Sequence, residues 1–216
     1  MATTLTYTAL DAVTEALHEA GITPWGQTPE ADDAEIARKK LRRMLKSWQA
    51  TESFDWLQTS MSHTMTATAA QTLASPVRPV RIWSVRYSAD GTSEMPMQEL
   101  TRDEYDSLPN KAATGVPTCY HYDRQREAAV LYVWPVLASV AAETLKITYE
   151  REFPDFDLLS ETMDVPGEAW DAVVFGLAAR LARPDNYARL TEEAARTYGA
   201  LLAGQNCGSV WFGEAY

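Results

Sequence analysis

Apolar residues recur every three to four positions at both ends of this chain and every second position through its middle, which predicts helices flanking a β-rich centre. Leu10, Val13, Leu17 and Ala20 share one face of a helix over residues 9–20. Thr8 is its predicted cap, with Asp11 in the N3 place of a capping box, and Gly21 is its stop. A Pro/Gly linker over 22–27 leads to a second helix, capped by Thr28 with Pro29 at the first position and ending near 50–54. Its apolar stripe is Ala34, Ala37, Leu41, Met44, Leu45 and Trp48. Glu30, Asp32, Asp33 and Glu35 lead it, and Arg38, Lys39, Lys40, Arg42, Arg43 and Lys46 follow. The helix dipole favours that order, and it allows i,i+4 pairs such as Glu35–Lys39.

From about residue 60 the period falls to two. Residues 60–66 alternate, and 80–87 form a strand candidate with one irregular step. Asp90-Gly91 is a hairpin turn signal, with the return strand expected over 94–100 and Pro96 marking an edge or bulge. Thr101-Arg102-Asp103-Glu104 is a second capping box, opening one short helix to Leu108 before Pro109. Residues 118–122 and 128–134 read as strands joined by a polar turn, and Leu145, Ile147 and Tyr149 mark a last strand. Three aromatic groups, Tyr120 with Tyr122, Tyr132 with Trp134, and Trp83 with Tyr87, are expected to pack across strands in a core.

After Phe153 the helical period returns. A helix opening at Val165-Pro166-Gly167-Glu168 carries Trp170, Val173, Val174, Leu177, Ala178 and Leu181 on its apolar side. Pro184 starts a final helix carrying Tyr187, Leu190, Ala194, Tyr198, Leu201 and Leu202, with Gly204 as its expected stop. The fold class is therefore α+β: a discontinuous antiparallel helical bundle over 1–59 and 160–204, an inserted small antiparallel β-rich layer over 60–159, and an extended C-terminal arm over 205–216.

Composition narrows the chemistry. A net charge of −11 argues against a tightly held nucleic acid, although an acidic wall suits DNA that only passes by. Cys119 and Cys207 have no metal-ligand spacing and read as free thiols of a reducing compartment. The first ten residues have no basic n-region, so no signal peptide is expected, and no apolar run reaches the roughly 20 residues that span a bilayer. His18, His63 and His121 lack a second ligand or base at a useful spacing, and no nucleotide-binding, hydrolase or zinc motif is present. Asp155, Asp157, Glu161 and Asp164 are the one carboxylate group open to a metal or glycosidase reading, against a plain solvated loop. No catalytic residue, metal or cofactor is expected. Trp211 and Phe212, beyond the last helix, suggest a segment that either folds back or docks on a partner.

Three blocks resemble the head-to-tail adaptors (tail accessory, or head-completion, factors) of short-tailed bacteriophages. They are the N-terminal helix pair with Gly21-Ile22 and M-L-x-x-W at Met44, Leu45 and Trp48; the 100–135 block with E-Y-x-x-L-P-x-K, G-x-P, Y-D and L-Y-V-W-P; and V-P-x-x-W before the closing helices. The Ala/Thr-rich stretch 66–79 departs from that pattern. The resemblance implies a structural virion protein without enzymatic activity, at the head–tail junction and assembled in the host bacterial cytoplasm. Its copies, twelve by analogy, would ring the DNA channel below the portal. The portal and a tail nozzle or tail tube component would be its partners, DNA would pass without specific binding, and no membrane would be involved. Val210, Trp211, Phe212 and Tyr216 become candidates for the portal contact. The alternatives are a tail-associated peptidoglycan hydrolase using the 155–164 acids, and another tail-completion ring protein.

Overall fold

Local capping signals set the first elements. In a computed structural model, which describes residues 6–73, 78–125 and 129–205, Thr8 accepts from the Asp11 amide and Asp11 answers the Thr8 amide. This reciprocal pair opens helix α1 (Ala9–Glu19), and Gly21, at φ 70°, closes it. The chain is α+β, with five helices and two four-stranded sheets among the described residues. It divides into two compact units, residues 1–52 with 153–216, and residues 53–152.

The first unit is helical. It contains α1, α2 (Ala31–Thr51), α4 (Trp170–Leu181) and α5 (Pro184–Gln205). Helix α4 packs against α1, α2 and α5, and buries Trp170, Ala172, Val173, Val174, Gly176, Leu177 and Ala178. Burial on several sides explains its apolar composition, and only Asp171 and Arg180 of the helix are exposed. Ala9, Ala12, Val13, Ala16 and Leu17 form the buried stripe of α1, and the capping Ala20 is buried below them. Trp170 anchors the other end: it stacks on Tyr7 at 3.9 Å between ring centroids, and its Nε1–H donates to Glu15 at 3.0 Å.

Four expectations change here. Helix α2 opens at Ala31, with Glu30 as a cap that makes no side-chain bond, rather than at Thr28 and Pro29; Asp32 and Asp33 still occupy its first turn. Leu10 and Tyr187 are exposed, because the buried stripes are narrower than the apolar pattern. Gly204 lies inside α5 rather than ending it, since a glycine stop requires a left-handed φ and Gly204 has none.

The second unit is a two-sheet sandwich. Strands β1 (Gln58–Thr64), β3 (Arg81–Ser88), β4 (Met95–Pro96) and β8 (Thr144–Glu150) form one sheet in the order β1-β8-β3-β4. Strands β2 (Ala70–Thr72), β5 (Gln98–Glu99), β6 (Cys119–Arg124) and β7 (Ala129–Trp134) form the other, in the order β2-β7-β6-β5. Val85, Leu145, Ile147, Leu131 and Val133 fill the space between them. The irregular step in 80–87 is a break in register between Ile82 and Ser84, which leaves Trp83 facing outward, 49% exposed, instead of in the core.

The expected return strand over 94–100 is two strands. Met95 and Pro96 pair antiparallel with β3, and then Gln98 and Glu99 pair parallel with β6 in the opposite sheet. Pro96 has no N–H to continue a ladder and sits on an edge strand. Met97, buried between the sheets, is the crossover.

Within 66–79, β2 is an edge strand whose Gln71 side chain is wholly buried. Its Oε1 accepts from the Thr66 amide at 2.8 Å and hydroxyl at 3.1 Å, and its Nε2 donates to the carbonyls of Thr66 and Thr68. Gln71 thereby supplies four of the hydrogen bonds that shape this turn, and the Thr68 hydroxyl adds one to the Ala70 carbonyl at 2.9 Å.

Candidate functional site

The 100–135 block folds into one module in the β unit, and each motif residue has a separate task there. Thr101 and Glu104 form the capping box of helix α3 (Arg102–Asp106). That helix lays Tyr105, 7% exposed, against His121 and Tyr132 of the sheet, at 5.7 and 5.4 Å between ring centroids. Lys111 sits 4.9 Å above the Tyr105 ring and pairs with Asp106 at 3.1 Å. Trp134 Nε1–H donates to the Asn110 carbonyl at 2.9 Å, tying the loop after α3 to the end of β7. Gly115 packs beside the Pro135 ring, where a Cβ would lie 3.4 Å from it, in ordinary van der Waals contact.

In the same module, Tyr122 donates its hydroxyl to the Pro79 carbonyl at 2.6 Å, and burial pushes its pKa up to about 12. Tyr120 is 3% exposed. The aromatics therefore fall into a core set, Tyr87 and Tyr120, and an outer set, Tyr105, Tyr132 and Trp134. We expect Thr101→Ala to cost the β unit about 1 kcal/mol, the usual worth of a cap, read as a lower denaturant midpoint at unchanged m-value.

Two sequence candidates meet in the helical unit. Arg42 pairs with Asp155 at 3.4 Å and Asp157 at 3.2 Å, and Lys46 lies 3.7 Å from Asp155. Arg38 donates to the Phe156 carbonyl at 3.0 Å and Lys46 to that of Phe153 at 2.7 Å. Glu161 accepts from the Asp157 amide at 3.1 Å. The acidic loop thus meets the basic face of α2, with Asp155 and Asp157 paired to Arg42 and Lys46 while remaining more than half exposed. Glu35 is drawn down to about 2 by its hydrogen bonds to Arg38, a local effect on an exposed carboxylate. Asp155 and Asp157 turn to the same guanidinium.

The three histidines lie on separate elements, His18 on α1, His63 on β1 and His121 on β6. His18 Nδ1 bonds the Thr23 carbonyl at 3.0 Å and its ring stacks on Trp25; His121 Nδ1 bonds the Leu100 carbonyl at 3.0 Å. His63 is half-buried on β1, and burial lowers its pKa. Among the described residues, no three His, Cys, Asp or Glu side chains converge as a metal set, and no helix is long and apolar enough to cross a membrane.

A cleft of about 480 Å³ in the β unit, lined by Ala67, Ala69, Lys111, Thr114, Val136 and others, is walled mainly by small side chains. Sequence patterning gives no signal for it, because its walls come from three separate loops. Val210, Trp211, Phe212 and Tyr216 lie outside the described residues.

No protein-family profile matches this chain, and a comparison with curated proteins finds no match. Among solved structures, the chain is similar to one from the "Neck of empty GTA particle computed with C6 symmetry". The two share 14% identity, over 91% of this chain and 94% of that one, with a TM-score of 0.30.

Proposed function

We propose that the protein is a structural head-to-tail adaptor of a short-tailed phage. In this reading, copies of the chain ring the DNA channel below the portal, help retain packaged DNA and offer a platform to the tail. The observation that carries it is the 100–135 module. Its turn residues and aromatics are those of the adaptor resemblance, and they hold one another in a single arrangement of capping box, stacked Tyr105 and tethered Trp134. The pairing of Arg42 with Asp155 and Asp157 weighs against the hydrolase alternative.

Ring closure needs a heterologous contact between neighbouring copies. The portal contact is assigned to Val210, Trp211, Phe212 and Tyr216, because aromatic side chains concentrate binding energy at interfaces. Deleting residues 205–216 is expected to leave the helical and β units folded by circular dichroism. It should weaken binding to isolated portal rings by ~100-fold or more, the ~3 kcal/mol that a cluster of aromatic anchors supplies. Unchanged binding by the truncated chain would remove the assignment of the arm.

A further inference from the structure

Among the described residues the two sheets have four edge strands, and three of them are short: β2 has three residues, and β4 and β5 have two each, with Pro96 in β4. The fourth, β1, has seven residues and, among the described residues, pairs on one side only, with β8. Its sequence, Gln-Thr-Ser-Met-Ser-His-Thr, contains no Lys, Arg, Asp, Glu, Pro or Gly. Those are the residues that ordinarily protect an open edge, and β1 lacks all of them.

The direction of its free groups follows from the ladder. The Leu57 carbonyl accepts from the Arg151 amide at 2.9 Å, and the Met65 amide donates to the Glu143 carbonyl at 3.0 Å. Bonding to a neighbour alternates along an antiparallel strand, so residues 57, 59, 61, 63 and 65 face β8. Gln58, Ser60, Ser62 and Thr64 therefore direct their N–H and C=O groups away from the sheet. These four are spaced symmetrically about Met61.

We propose that β1 pairs antiparallel with β1 of a second copy, about a two-fold axis at Met61. That register sets Gln58 opposite Thr64 and Ser60 opposite Ser62, so every outward residue of each strand enters a hydrogen-bonded pair. Shifting the axis by one residue leaves an outward residue unmatched, and centring it between residues sets outward groups against inward ones. No like charges face each other, and Met61 meets its counterpart in a non-hydrogen-bonded pair, where side chains approach most closely. The contact is isologous and goes beyond the adaptor reading. A two-fold pair does not by itself close a ring, and the two proposals fail separately.

The test is sedimentation of the full chain across the micromolar range. The unaltered protein is expected to move to a species of twice its 24.1 kDa mass. Ser60→Pro removes an outward N–H and no β8 bond, and should hold the protein monomeric with its far-UV spectrum intact. Ser60→Lys with Ser62→Lys sets lysines opposite each other and should do the same if proline disturbs the strand. With Cys119 and Cys207 changed to serine, Met61→Cys should give a disulfide-linked pair on oxidation. A protein that stays monomeric throughout overturns the proposal. So does a dimer that survives both Ser60 variants, or one that disappears only when residues 206–216 are deleted; the last result would make the C-terminal segment the occupant of the contact.

Discussion

Gly176→Val is expected to destabilise the helical unit by about 2–3 kcal/mol, the range of an overpacked core. Gly176 is buried at the crossing of α4 with α2. A Cβ placed there would lie 3.0 Å from Cζ2 of Trp48 and 3.1 Å from Sδ of Met44. Both neighbours are themselves buried, so neither side chain has open space to retreat into. Valine adds two further carbons to that contact. Glycine inside a helix is otherwise unfavourable by about 1 kcal/mol against alanine, so the close approach is what makes the position require it.

Gly199 on α5 supplies the contrast. A Cβ there meets nothing within 4 Å, so Gly199→Ala should stabilise the protein by about 0.5–1 kcal/mol. Urea unfolding of the two variants separates the effects. If Gly176→Val melts like the unaltered chain, the α2–α4 contact is looser than described.

Gln71→Leu should cost the β unit about 2–4 kcal/mol, since each buried polar group left unpaired costs about 1–3 kcal/mol. Leucine is close to glutamine in size, so the loss isolates hydrogen bonding from packing. The substitution strands the Thr66 amide and the carbonyls of Thr66 and Thr68, all of which Gln71 serves. Water can reach part of the turn, because Thr66 and Thr68 are exposed, and this keeps the cost at a few kcal/mol. Hydrogen exchange is the direct readout. The Thr66 amide, protected in the parent, should exchange with the fast amides in the variant, whereas Thr68→Ala, which removes the hydroxyl bonds to Thr66 Oγ1 and the Ala70 carbonyl but none of those made by Gln71, should leave it protected.

The parts legible in the sequence are the local ones. Thr8 with Asp11 and Thr101 with Glu104 close their boxes across three residues, and Asp90 folds its turn by accepting from the amides of Thr92 and Ser93. The break in alternation near Trp83 is visible because a strand has a fixed period. What stayed out of reach depends on partners distant in sequence. Nothing near Gly176 signals Trp48 above it, and nothing in the 155–164 acids signals Arg42. The split of 94–100 between two sheets depends on which strand lies on either side of Met97.

At the candidate site, the motif order of 100–135 was readable, but the stacking of Tyr105 on His121 and Tyr132 needed the fold. The open edge of β1 shows the same division. Its lack of charge is written in the sequence, while the outward direction of its even-numbered residues comes only from its pairing with β8.

The adaptor reading is tested most directly by light scattering of the purified chain, alone and mixed with isolated portal rings. Alone, the chain should be no larger than a pair. On the portal it should appear as a single addition of about twelve 24.1 kDa chains, a closed ring of heterologous contacts. Portal rings whose mass is unchanged by an excess of this chain would contradict the account.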